Sequence, residues 1–321
     1  MDIADNTGAG TLVLGSAGFV GSALCERLAH SGRSVVAMGR SVQDAVSDGI
    51  THMRGSIEDR ELLRDAVRQS NTIIYAASLT TPGSSARDPA LEVFGNLLPL
   101  SRLLECAEEF PQRKLIYLSS GGAIYGETGE HADESSLLKP RSYYGAGKAA
   151  AEALLHACAA TTTWTTVSLR PTNLYGPRQL VTKGFAIVPT LFDRALDGGT
   201  FPIWGDGSAV RDYCYIDDLI DAIVACLQIP PSNELAIFNV ATEYTASVLQ
   251  MVELCESVCG RRIHVEALPS RGIDVARVTP SNRKIRHELS WTPSTDLPTG
   301  LSRTWRWRNG HAENTRLRSI L

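Results

Sequence analysis

Tyr144 and Lys148 lie four residues apart in Tyr143-Tyr144-Gly145-Ala146-Gly147-Lys148. On a helix that spacing puts both side chains on one face. A phenol has a pKa near ~10 and is a poor base at neutral pH. A cation beside it favours the phenolate and brings proton abstraction toward the working range. Upstream, Gly15-Ser16-Ala17-Gly18-Phe19-Val20-Gly21 separates a short apolar run, Thr11 to Leu14, from an amphipathic stretch, Phe19 to His30. Glycines in a strand-to-helix turn allow a tight bend, close approach of backbone to a pyrophosphate, and close packing of helix on strand. The spacing is Gly-x-x-Gly-x-x-Gly, not the Gly-x-Gly-x-x-Gly of the best-known dinucleotide fingerprint, and three glycines alone read equally as turn chemistry. Their place between strand and helix points to a dinucleotide. Together with the tyrosine and lysine, they point to redox chemistry at a hydroxyl-bearing carbon.

The elements that must position these groups alternate. Strands are expected at 11–14, 34–38, 50–54, 72–76, 115–118 and 166–169. Helices are expected at 19–30, 57–69, 89–110 and 144–160. This rhythm predicts an α/β fold, a Rossmann-like doubly wound parallel sheet, whose ligands bind at the carboxyl ends of the strands. After Pro177 the alternation weakens. The expected division is a dinucleotide-binding domain over 1–176 and a smaller mixed α/β substrate domain over 177–321, with 212–227 and 236–255 able to pack back on the first. The second strand ends Met38-Gly39-Arg40, without the acid that commonly grips the ribose of NAD. Arg40 suits the 2′-phosphate of NADP, and equally a solvated loop, so the choice between NAD and NADP stays open.

Composition excludes several classes. The 321 residues are 43% hydrophobic and 21% charged, enough for a sizeable core, and the formal charge of −4 gives no reason to expect nucleic acid. Seven cysteines without a Cys-x-x-Cys read as reduced thiols in a cytoplasmic protein. Seven scattered histidines, with no His-x-x-x-His, give a metal centre little support. The acidic N-terminus lacks a signal-type core, and no apolar run is long enough for a membrane span.

Several motifs in order carry a family resemblance. They are the glycine loop, Asn96, the run Tyr117-Leu118-Ser119-Ser120-Gly121-Gly122-Ala123-Ile124-Tyr125-Gly126, Tyr144-x-x-x-Lys148, and Leu169-Arg170-Pro171-Thr172-Asn173-Leu174-Tyr175-Gly176-Pro177-Arg178-Gln179. Further on come Gly205 to Tyr213, Arg271-Gly272-Ile273-Asp274 and Leu289-Ser290-Trp291-Thr292-Pro293. Over nearly its whole length the chain resembles the extended short-chain dehydrogenase/reductases that act on nucleotide sugars, especially UDP-glucose 4-epimerase-like proteins. The resemblance implies that Tyr144 is the acid/base, that Lys148 holds the nicotinamide ribose and lowers the tyrosine pKa, and that Ser120 assists. It implies a cofactor site of Gly15, Ala17, Gly18, Phe19, Val20, Gly21, Arg40, Ser56, Ile57, Ala76, Ala77, Asn96, Tyr144, Lys148 and Pro171. The substrate would meet Ser120 and Gly121, with Asn173 and Arg211 on its diphosphate and Arg271 and Asp274 at its nucleoside end. Taken alone, Arg211-Asp212 reads equally as a structural ion pair and Asn173 as a turn-capping amide. A homodimer, through the helices near 90–110 and 144–160, is implied as well.

Two departures stand out. The family usually has Ser or Thr four residues before the tyrosine of its Tyr-Gly pair, where this chain has Gly121; Ser120 next door, or a water, would have to replace that hydroxyl. Ser56 stands where many relatives carry Asp. In the same stretch, Gly122-Ala123 replaces the Asp-Glu pair that dehydration requires and the glutamate of decarboxylating relatives. The reactions left are 4-epimerisation of a UDP-hexose with NAD, NADPH-dependent reduction of a 4-keto sugar nucleotide, and a non-enzymatic binding role. Val278, four places past Asp274, is small enough to suggest N-acetylated sugars as substrates, and equally simple loop variation.

Overall fold

The computed structural model describes residues 10–41, 48–127, 131–181, 186–270 and 275–318, with side chains as far as residue 312. Its first strand, β1 (Gly10–Leu14), is buried along its whole length. Leu12 and Leu14 enter one core layer and Val13 the other, as period-two side chains on a strand covered from both faces must. The chain continues through α1 (Phe19–His30), β2 (Val35–Gly39), β3 (Ile50–Arg54), α2 (Arg60–Arg68) and β4 (Ser70–Tyr75). α2 begins where it does because the Asp59 carboxylate accepts from the backbone N–H of Leu62.

The helix expected over 89–110 is not continuous. It divides into α3 (Pro89–Glu92), a π-turn at Val93–Leu97, α4 (Leu98–Leu104) and a 3₁₀ turn at Glu105–Ala107. Pro99 has no N–H to offer the carbonyl one turn back, and the ladder widens just before it, with Leu98 N–H bonding to Val93 O. β5 (Lys114–Leu118), α5 (Tyr143–Thr161) and β6 (Thr165–Pro171) follow; Ser142 caps α5 by accepting from Gly145 N–H at 3.1 Å.

The second half holds β7 (Asn173–Tyr175), α6 (Ile187–Asp197), β8 (Thr200–Trp204), β9 (Val210–Tyr215), α7 (Ile216–Cys226) and β10 (Ala236–Val240). It ends with β11 (Thr245–Ser247), α8 (Val248–Cys259), β12 (His264–Leu268), β13 (Arg277–Val278), α9 (Arg283–Leu289) and α10 (Leu297–Arg318). The main sheet is parallel, in the order β10-β6-β5-β4-β1-β2-β3. Its order reverses between β1 and β4, which opens the crevice where ligands of such sheets bind. β10 thus returns to the first layer from the second half of the chain, and the Arg27–Asp221 ion pair ties α7 to α1. A smaller mixed sheet, β11-β9-β13 with β7 beside β9, stands at the carboxyl edge, and β8 pairs with β12 apart from it. Among the described residues no helix is long and apolar enough to cross a membrane.

Candidate active site

The turn after β1 is built for a close visitor. Gly15 has φ +85°, and a Cβ there would lie 2.8 Å from the Ala77 backbone; a Cβ on Gly21 would lie 2.2 Å from Gly15 O. Larger residues would push helix from strand. Gly18 ends the turn and offers no side chain to cap α1, and the first turn of α1 carries no acid. The N–H groups of Phe19, Val20 and Gly21 therefore face outward as a ready anion site. Gly15, Ala17, Gly18, Gly39, Arg40, Ser56, Ile57, Ala76 and Ala77 line one cleft of about 390 Å³ at the switch point of the sheet. Cleft, glycines and bare helix terminus fit a dinucleotide with its pyrophosphate on α1. Arg40 is exposed at the rim where β2 ends. Asp59 caps α2, and the Ser56 hydroxyl accepts from Glu58 N–H.

Tyr144 stands in the first turn of α5, with the Ser120 hydroxyl near its phenol. Gly121 could not carry that hydroxyl: its N–H bonds Pro171 O at 2.8 Å, and a Cβ there would lie 2.8 Å from Arg170 O. Burial pushes the phenol up to about 12, the Ser120 hydroxyl pulls it back, and the charge on Glu92 pushes it up. Lys148 is 4% exposed; its Nζ donates to Leu118 O at 2.8 Å and Tyr117 Oη at 3.2 Å, and lies 5.6 Å from the Tyr144 ring centroid. Burial pulls the ammonium down to about 8, against the opposing charges of Glu92 and Glu152. The expectation that Lys148 brings the phenol down is thus outweighed in these surroundings, because a dry pocket disfavours phenolate and ammonium alike.

Asn96, expected at the cofactor, spends its amide within the protein. Its Oδ1 accepts from Leu79 N–H at 2.9 Å, and its Nδ2 donates to Thr80 Oγ1 and to Glu92 Oε1 at 2.8 Å. It holds the chain after β4 to the π-turn. Pro171 closes β6 and receives Gly121 N–H. Asn173 donates to Asp212 O at 2.9 Å, and its amide is the nearest group to a Cβ placed on Gly122. Arg211 lies on β9, close to Asn173 through the β7–β9 pairing, and its guanidinium reaches Val210 O. Among the described residues Asp212 has no ion-pair partner. It is buried, pushed up to about 6 by that burial, and it accepts from Thr172 Oγ1 and from Thr242 and Glu243 N–H. Val278 is 2% exposed and sits opposite Arg211 on β13, not on a loop. Arg271 and Asp274 lie outside the described residues.

Sequence reasoning passed over three groups beside this site. Tyr117 receives Lys148. Glu152, one turn past Lys148, meets Arg170 through Nε at 3.0 Å and Nη2 at 2.6 Å, and accepts from Ser168 at 2.9 Å. Glu92 is 3% exposed and accepts from Thr80 and Asn96. The four-residue spacing of Glu92 and Asn96 was a visible signal; what faces Glu92 was not.

Residues 11–241 match the family model described as the NAD dependent epimerase/dehydratase family. The UDP-glucose 4-epimerase of Mycolicibacterium smegmatis is 31% identical over 304 residues, which cover 92% of this chain and 96% of that protein. The structure of UDP-glucose 4-epimerase from Thermotoga maritima with UDP-glucose has a TM-score of 0.88 at 28% identity, covering 94% of this chain and 99% of the other. That of UDP-glucose 4-epimerase from Thermus thermophilus with NAD has a TM-score of 0.86 at 30% identity, covering 94% and 99%.

Proposed function

The chain belongs to the NAD-dependent epimerase/dehydratase family, and from that premise we propose that it interconverts the C4 epimers of a nucleotide sugar through bound NAD. The substrate we assign is a UDP-hexose of the glucose/galactose type, with N-acetylated forms in range. The Ser120 hydroxyl near the Tyr144 phenol carries this reading: a proton-transfer pair joined to the cleft through Tyr117, which packs on Tyr75 in the cleft wall, with Gly122 and Ala123 offering no acid to expel water or carbon dioxide. When bound, NAD supplies the hydride acceptor, a positive ring, and, once reduced, the donor.

Tyr144 takes the proton of the sugar 4-hydroxyl at its phenolate oxygen and gives it back after the 4-keto sugar has turned. Ser120 hydrogen-bonds the reacting oxygen and keeps it against Tyr144. Lys148 places positive charge behind the phenol and lowers the cost of the phenolate. Asn173 and Arg211, brought together by β7 and β9, hold the diphosphate while the sugar swings; Arg271 and Asp274 serve the nucleoside end. Tyr144→Phe should remove interconversion of UDP-glucose and UDP-galactose, by about 10³-fold or more, with circular dichroism unchanged. Undiminished turnover would overturn the assignment.

Arg40 at the rim favours a second reading, reduction of a 4-keto sugar nucleotide by NADPH. Mass spectrometry of cofactor released from purified protein separates the two: retained NAD supports the epimerase, and consumption of NADPH by a protein without nicotinamide supports the reductase. A homodimer also belongs to this reading. Phe94 is 64% exposed, and Val93, Leu98 and Leu154 are further exposed apolar side chains on the adjoining helical segments. Phe94→Asp should leave monomers in light scattering; a wild-type protein that is itself monomeric would refute the dimer.

A further inference from the structure

Lys148 and Glu92 are both buried charges, and neither is satisfied by the other in contact. Every described partner of Lys148 is neutral: Tyr117 Oη, Leu118 O, and the rings of Tyr117 and Tyr144. The described partners of Glu92, Thr80 and Asn96, are neutral too. Glu92 nevertheless lies directly on α5, since a Cβ on Gly147 would be 2.3 Å from its Oε1 and 2.7 Å from its Cδ. Glycine at 147 makes the seat for this carboxylate, one residue before Lys148. Isolated buried charges are costly, and two of opposite sign in one dry region offset each other without touching.

We propose that Glu92 is a positioning residue, the counter-ion that keeps Lys148 an ammonium behind Tyr144, held against Gly147 by Thr80 and Asn96. The other titratable groups facing Lys148 are Tyr117 on β5, Tyr144 and Glu152 on α5. Glu152 is occupied by Arg170, so its charge is largely cancelled on the spot. Glu92 has no such partner among the described residues, and its charge ranks ahead of Glu152 in holding the lysine proton. The same carboxylate disfavours the Tyr144 phenolate. Its net role in the free protein is to keep both groups protonated.

The test is a direct titration of Lys148. The chain has five lysines, so the Nζ resonances of ¹⁵N-lysine-labelled protein can be assigned by single Lys→Arg variants. Glu92→Gln should lower the Lys148 midpoint by about 1 pH unit. Glu92→Asp should restore most of it. Thr80→Val, which removes the hydrogen bonds of Thr80 with Glu92 and Asn96 and keeps the charge, should lower stability and leave the midpoint in place. An unchanged midpoint in Glu92→Gln overturns the proposal. Should Glu92→Gln not fold, it is placed in Lys148→Met, where the carboxylate has lost its counter-ion: rescue of folding supports the proposal, and failure there means that Glu92 serves the fold alone. The kinetic consequence rests on the epimerase reading: in Glu92→Gln the alkaline limb of kcat moves to lower pH, with KM for the nucleotide sugar unchanged. Because the titration uses no substrate, its failure is distinct from failure of that reading.

Discussion

Two buried carboxylates, Glu152 on α5 and Glu92 packed against it at Gly147, lie about one turn apart along that helix and are satisfied in opposite ways. Glu152 is locked to Arg170 by two hydrogen bonds, one to each carboxylate oxygen, with Ser168 donating to Oε1 beside Arg170 Nε and Tyr125 extending the network at 2.6 Å from Arg170 Nη1. Glu92 has two neutral donors, and the cation it faces gives its hydrogens to other groups. The first pair cancels its charge on the spot and fastens α5 to β6. The second leaves charge standing beside the reacting phenol. One helix thus uses contact where position is needed and separation where a field is needed.

The contrast can be broken most severely at Arg170. Arg170→Met strands Glu152 in the core and should cost about 3–5 kcal/mol in urea unfolding. A cost under about 1 kcal/mol would mean that Lys148 can satisfy Glu152, and the two pairs would not be separate. Next comes pH. Lys148 falls to about 8 in the fold from 10.5, so across that window the unfolded chain binds the proton that the folded chain has lost. Stability should therefore rise with pH through it, by up to about 3 kcal/mol. Turnover that needs the ammonium should fall over the same window, and parallel movement of stability and turnover would contradict a charged Lys148 in catalysis.

Ser120→Ala should lower kcat by about 10²-fold while unfolding shifts by less than about 0.5 kcal/mol; retained kcat would leave a water as the hydrogen-bonding group. The last contrast separates two neighbouring glycines. Gly121→Ala presses a methyl on Arg170 O and should cost about 1–3 kcal/mol. Gly122→Ala, with Asn173 at 3.9 Å, should stay within about 0.5 kcal/mol. Equal costs would show that the loop moves freely against β6.

Much of the first half was legible because its signals are local. The segments of four or five residues expected as strands became β1 to β6, and Asp59 and Ser142 set helix starts by bonding N–H groups three residues on. The break in the 89–110 helix at Pro99 was not legible, because propensity gives no hint that a π-turn will absorb the missing donor. β7 to β13 were not resolved as strands: β7, β11 and β13 are only two or three residues long, β8 and β12 are largely exposed, and the pairings join segments far apart in the chain, as β10 does with β6.

The sequence by itself determined the glycine turn, the Tyr144–Lys148 spacing and the absence of acids at 122 and 123, since each depends on residue type within a turn or two of chain. Only the tertiary structure decided that Ser120 meets Tyr144, that Asn96 holds Thr80 and Glu92, and that Asp212 caps a loop instead of pairing with Arg211. It also decided the sign of the pKa shift at Tyr144. Burial is a property of everything packed around a group, and here it outweighs the neighbour that the spacing picks out.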